Sequence, residues 1–265
     1  SCNYGFHMAI ARWDDGVAAE MEDMSRQGVT SYKMYMVYDA LKVDDGQIYA
    51  ALKKAKEHGA LIGIHCENWE VLQRKIAELK AEGITEPYGH PLSRPAEVEA
   101  EAVNRYMRIA QLAEAPAYVV HLSSAQGLAE AERARARGQE VYLETCPQYL
   151  LLTDDRYKDE DGAKFVMSPP LRKAEDNEAL WQGLKDGKLD AIGTDHCSFT
   201  MAQKAMGAGD FSKIPNGGAG VQHRGQLLYT YGVCEGRITL EQMVKYLSEG
   251  AAKLFGMKDH GEVAP

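Results

Sequence analysis

Four residues are of types that do not suit their surroundings. Lys33 sits inside the aromatic and aliphatic run TSYKMYMVY, His65 ends the apolar run ALIGIH, His121 lies in AYVVHL, and Asp195 follows LDAIGT. Two imidazoles, a carboxylate and an amine are the donor types of a metal centre. An ammonium in an apolar strand is disfavoured, and desolvation lowers its pKa. The neutral amine can take up CO2 to form a carbamate, an anion whose two oxygens can bridge two divalent ions. Imidazole and carboxylate then complete a coordination suited to zinc. Ions held in this way would polarise a carbonyl and bring the pKa of a water near neutral. Each residue alone has an ordinary reading: a hydrogen-bonded strand-end histidine, a lysine that snorkels to solvent, an aspartate that caps a helix. Together, at the ends of separate apolar runs, they are costly to bury unless they bind something.

The elements that must position them alternate between short strands and longer helices. Strand-like runs fall at 4–10, 30–38, 60–65, 117–122, 140–145 and 189–196. The run at 60–65 is apolar until its histidine, as in a strand buried on both faces. Helical patterns lie at 17–27, stopped by Gly28, and at 44–58, where Ile48, Ala51, Leu52 and Ala55 share a face and Gly59 follows as a C-terminal glycine. Others lie at 69–82, from Pro95 placed as a first helical residue, and at 126–137, 176–185, 222–234 and 240–255. Turn-rich stretches at 83–94 and 206–220 interrupt the series. The alternation predicts a parallel sheet with helices outside it. The chemistry-bearing residues then gather at strand C-terminal ends, as at the mouth of a (β/α)8 barrel. No GxGxxG follows the first strand and no GxxxxGK[ST] occurs, so nucleotide-binding versions of such folds lose weight.

Composition narrows the class further. The chain has 265 residues, 45% hydrophobic and 26% charged, and its mean hydropathy is −0.40. No apolar run approaches the ~18 residues of a membrane span. A net charge of −9 and a pI near 5.4 argue against nucleic acid as a partner, since phosphates need a basic surface. The five cysteines, Cys2, Cys66, Cys146, Cys197 and Cys234, are odd in number and form no CxxC. Reduced thiols and a cytoplasmic location are expected. The opening SCNYGFHMAI has no signal-peptide pattern, and both ends read as cut.

The ordered segments SYKMYMVY, GIHCENWE, SRPAEVEAEAV, YVVHLSSAQG, ETCPQYL, MSPPLR, IGTDHCSF, IPNGGAGVQHR and AAKLFGM span nearly the whole chain. In them the sequence resembles the dihydropyrimidinase/D-hydantoinase branch of the cyclic amidohydrolases. The resemblance implies an α/β fold of the TIM-like (β/α)8 barrel type, and two divalent metal ions, most simply zinc. It implies that Lys33 is the carbamylated bridging lysine, that His65 and His121 bind the more exposed ion, and that Asp195 binds the buried ion and passes a proton to the leaving nitrogen. Tyr38 would stabilise the developing oxyanion. Ser168 and Asn216 would hold the cyclic amide edge, largely through backbone groups. The implied reaction opens the ring amide of hydantoins or dihydropyrimidines to give N-carbamoyl amino acids, and the implied assembly is a homotetramer. Outside that context Tyr38 reads as a packing aromatic, and Ser168 and Asn216 read as turn residues.

The sequence departs from the family in one main respect. None of its eight histidines form the HxH pair that supplies two ligands to the buried ion. The match begins at the family's third barrel strand and stops before its small β-sandwich. One truncated barrel domain over 1–265 is therefore expected, inactive and poorly stable alone, with unpaired sheet edges. Cys66 and Cys197 adjoin the proposed ligands and read as small buried fillers more readily than as ligands. An allantoinase or dihydroorotase shares the lysine, histidines and aspartate but fits KMYMVY, ETCPQYL and IPNG less well. A non-catalytic scaffold like the collapsin response mediator proteins would have lost metal ligands that this sequence keeps.

Overall fold

A computed structural model describes residues 4–261, and Cys2 lies outside them. Six parallel strands form one sheet in sequence order: β1 (Met8–Ala9), β2 (Ser31–Tyr35), β3 (Leu61–His65), β4 (Ala117–Val119), β5 (Val141–Thr145) and β6 (Ala191–Ile192). Between them run α1 (Asp15–Arg26), α2 (Asp45–Glu57), α3 (Trp69–Ala81), α4 (Gly89–Ser93), α5 (Ala96–Ala113), α6 (Ala125–Ala136), α7 (Pro147–Leu151) and α8 (Ala174–Lys185). After β6 come α9 (Met201–Lys204), α10 (Arg224–Leu227), α11 (Leu240–Val244) and α12 (Gly250–Leu254). This is the predicted alternation, an incomplete (β/α) barrel. Strands in sequence order joined by helices follow from parallel pairing, which needs a crossover after each strand.

All the strands are shorter than the sequence patterns suggested. The first reduces to Met8–Ala9 and the last to Ala191–Ile192. His121 lies beyond β4, and Asp195 beyond β6. The ladder ends where the chain turns out of the sheet, so apolar pattern overstates strand length. Pro95 is the N-cap of α5 rather than its first helical residue. The stretch at 83–94 contains α4, and the helices at 222–234 and 240–255 include π-helical turns at Leu228–Val233 and Lys245–Glu249. Gly59 ends α2 with φ +61, as the C-terminal glycine signal predicts.

Strand side chains alternate between two faces. Ile62, Ile64, Ala117, Val119 and Leu143 join the large core beneath the helices. Leu61, Tyr118 and Val120 form a smaller cluster on the opposite, inner face, with Tyr142 and Phe255 packed on it. Lys33 shares that inner row: the register runs Ala9, Lys33, Gly63, Tyr118, Tyr142 across five strands. Gly63 cannot be larger, because a Cβ there would lie 2.8 Å from Val120 and 2.9 Å from Tyr118. The missing side chain lets Val120 and Tyr118 pack close to the strand beside the lysine. Among the described residues no helix is long and apolar enough to cross a membrane.

Candidate metal centre

Lys33 lies in the middle of β2, where its amine passes over the Tyr35 ring, 4.4 Å from the centroid. Its Nζ is buried and makes no hydrogen bond. Burial pulls this ammonium down to about 8, with Cys66, Asp195 and Glu144 acting the other way. A buried amine with a depressed pKa and no partner suits a group that works uncharged or modified. Register places Tyr35 beside His65. The His65 ring faces His121, with centroids 4.4 Å apart and planes at 71°. Burial lowers both imidazoles below their usual range, so both are neutral at physiological pH.

The two histidines are oriented differently. His65 Nε2 donates to Glu67 Oε2 at 2.6 Å, which leaves Nδ1 with the lone pair. Glu67 is fully buried. Burial pushes its carboxyl up, but the Arg94 charge and the His65 hydrogen bond outweigh this and hold it well below the carboxylate range. Arg94 Nη1 donates to the same oxygen at 2.6 Å. The Arg94 carbonyl in turn accepts from Arg172 Nη1. Arg172 Nε donates to Ser123 Oγ at 3.0 Å, and Glu99 accepts from the Ser123 amide and hydroxyl and from Ser124. This buried network runs from His65 to Ser123 and Ser124, two and three residues after His121. Sequence reasoning missed it, because Glu67 and Arg94 lie in polar loops whose pairing becomes visible only in three dimensions.

His121 Nδ1 is buried and unpartnered. Its backbone has φ +41, and Tyr38 and Asp195 have φ +75 and +48. Among the described residues only five non-glycine positions have positive φ, and three are these sequence-predicted site residues. Left-handed backbone at bulky residues costs about 1–3 kcal/mol each and persists where the surroundings demand it. In each case the chain leaves its strand, so the side chain is aimed by the turn rather than by the pleat.

Lys33, His121 and Asp195 line one cavity of about 470 Å³, together with Glu144 and His7. Asp195 is at its exposed rim. Loss of water pushes its carboxyl up, with His65 and Lys33 opposing. Glu144 accepts from Tyr118 Oη at 2.5 Å, and the site needs Gly193, whose Cβ would lie 2.6 Å from Glu144 Oε1. His65 and Tyr38 stand beyond His121, with ring centroids 5.4 Å apart. Tyr38 is half-buried; burial raises its hydroxyl to about 12, and Arg94, Glu67, Ser168 and Asp195 also act on it. Asn216 Oδ1 is buried without a hydrogen-bond partner, and buried Ser168 Oγ has only the Tyr38 hydroxyl close by. Cys66 is a buried filler, as expected, but Cys197 is exposed, because it lies on the turn after Asp195 rather than in the core.

Among the described residues, no three His, Cys, Asp or Glu side chains converge as a ready-made metal site. The paired histidines would need a further donor to hold an ion, and the buried Lys33 amine near them has no partner of its own. The donor chemistry therefore fits a divalent ion.

Comparison with known proteins agrees with this geometry. D-phenylhydantoinase of Escherichia coli O1:K1 / APEC is 45% identical over 266 residues, covering 99% of this chain and 58% of that protein. The structure of a D-hydantoinase (dihydropyrimidinase) from Thermus sp. superposes with TM-score 0.96 at 39% identity, over 99% of this chain and 58% of that one. Dihydropyrimidinase from Brevibacillus agri NCHU1002 gives 0.97 at 42%, with the same coverage. The chain thus spans 58% of the length of these relatives. The amidohydrolase family model matches residues 7–265. A parallel β/α barrel, paired histidines at its mouth and a match over almost every residue establish that the chain belongs to the amidohydrolase family, whose enzymes are metal-dependent.

Proposed function

We propose that the chain forms the metal-binding and substrate-facing part of a hydrolase that opens the ring amide of hydantoins and dihydropyrimidines to N-carbamoyl amino acids. The observation that carries this reading is the unpartnered, buried Lys33 amine on the same barrel face as the His65–His121 pair. In this reading Lys33 becomes a carbamate, His65 and His121 bind one zinc ion, and Asp195 reaches the second. Bound metal supplies Lewis-acid polarisation of the amide carbonyl and acidifies a water.

The chain's own residues do the rest. The Tyr38 hydroxyl, raised to about 12, stays protonated at neutral pH and donates to oxygen as charge develops on it. Asp195, raised by loss of water, takes a proton and passes it to the leaving nitrogen. The segments bearing Ser168 and Asn216 hold the edge of the ring. The full-length protein works as a homotetramer.

Initial rates of the metal-loaded, full-length protein on hydantoin, dihydrouracil and allantoin test this. Ring opening of the first two at a kcat/KM about tenfold or more above allantoin is expected, which corresponds to about 1.4 kcal/mol of transition-state preference. Turnover of allantoin alone, or of none of the three, would overturn the assignment.

A further inference from the structure

Lys204 is an ammonium 2% exposed, outside the metal centre and unused by the chemistry above. It ends the one-turn helix α9, which begins with a Thr200–Gln203 capping box. Its Nζ donates to Val166 O at 2.7 Å, Pro215 O at 2.6 Å and Gly217 O at 2.8 Å. An ammonium has three donors, so all are used, and all go to main-chain carbonyls. Two of these carbonyls flank Asn216, and the third is two residues before Ser168. The Gly217 amide donates to Val166 O at 3.0 Å, so the same oxygen joins the two segments directly.

Other contacts close the arrangement. Cys197 N donates to Gly218 O at 3.0 Å, tying the segment to the turn after Asp195. Gly217 has φ +149, and a Cβ there would collide with Cys197 O. His90 Nε2 donates to Met167 O at 2.8 Å from the other side. Within this frame Asn216 Oδ1 is buried without a protein partner and Ser168 Oγ has only the Tyr38 hydroxyl near it, although nearby buried carbonyls are satisfied. Unspent hydrogen-bonding capacity inside a fully bonded scaffold marks a ligand-facing edge.

We propose that Lys204 is a positioning residue: its ammonium clamps the 166–168 and 215–217 segments at the spacing that lets their backbone and the side chains of Ser168 and Asn216 grip the amide edge of the substrate ring. The proposal rests on the hydrolase reading for the identity of the ring, but the clamp itself is independent of it. An apolar side chain in place of Lys204 would leave the Pro215 and Gly217 carbonyls unpaired and Val166 O with the Gly217 amide alone, so that the carbonyls repel and part.

Two measurements on full-length protein separate these claims. Hydrogen exchange of Lys204→Met should show protection lost by about tenfold in peptides covering 166–168 and 215–218, with the barrel peptides covering 61–65 and 117–119 unchanged. In the same variant KM for hydantoin should rise about tenfold while kcat stays within about threefold, and Lys204→Arg should recover part of the KM change. Unchanged exchange in the two segments overturns the clamp whether or not the protein is active. Lost protection with unchanged KM overturns its link to substrate. A wild-type protein that hydrolyses no ring amide, with protection lost in the variant, counts against the hydrolase reading and supports the clamp.

Discussion

The rings of His65 and His121 stand 4.4 Å apart at 71°, although one ends β3 in extended backbone and the other follows β4 at φ +41. Two neutral imidazoles are buried edge to face, one fixed by Glu67 and the other without a partner on Nδ1, which is the arrangement the proposed shared ion would require. The network through Arg94 and Arg172 makes their spacing a property of the fold.

Glu67→Gln should weaken zinc binding by about 10–100-fold, because His65 loses the charged acceptor that fixes its tautomer. It should also destabilise the protein by about 3–5 kcal/mol, since Arg94 is left buried without its anion. Competition titration with a chromophoric chelator reads the first effect and urea unfolding the second. Wild-type zinc affinity in a folded variant would contradict the assigned role of Glu67.

Tyr38→Phe should lower kcat by about 10²–10³-fold with little change in KM, as expected for a donor used only when charge develops on oxygen. Steady-state kinetics on hydantoin checks it. An unchanged kcat would reduce Tyr38 to a packing aromatic.

Acid should destabilise the fold through its buried histidines. Burial, aided by the Arg94 charge, lowers His90 to about 3, whereas an unfolded histidine titrates near 6.5. Between those values the unfolded chain binds a proton that the folded chain refuses. The stabilisation is therefore complete above about pH 6.5 and is lost as pH falls toward about 3. His65 and His121, also lowered, act with the same sign. His90→Gln keeps a donor for Met167 O and should flatten the slope of unfolding free energy between pH 4 and 6 by about 1.4 kcal/mol per pH unit. Parallel slopes for variant and wild type would exclude His90 as a contributor.

Much of this was legible in the residues themselves. Apolar runs broken by helical periodicity located all six strands, because parallel strands covered on both faces leave an apolar signature that ordinary loops lack. Lys33 was conspicuous for the same reason: an amine in such a run has no water to reach. The turns that aim Tyr38, His121 and Asp195 were not legible, since apolar pattern continues past the last ladder bond and hides where the backbone flips to positive φ. Glu67 stayed hidden because a carboxylate two residues after a histidine looks like a solvated loop residue until Arg94 is brought to it. Lys204 left no sequence signal, as its partners are main-chain carbonyls that any residue type would provide.

The central claim is that Lys33, through its carbamate, completes the metal centre that His65 and His121 begin. Elemental analysis of full-length protein, wild type beside Lys33→Ala and purified identically, tests it most directly. The account predicts about two divalent ions per wild-type chain and loss of most of that metal in the folded variant. Equal metal in both proteins, or less than ~0.2 ion per wild-type chain against the pair a two-metal site holds, would contradict it.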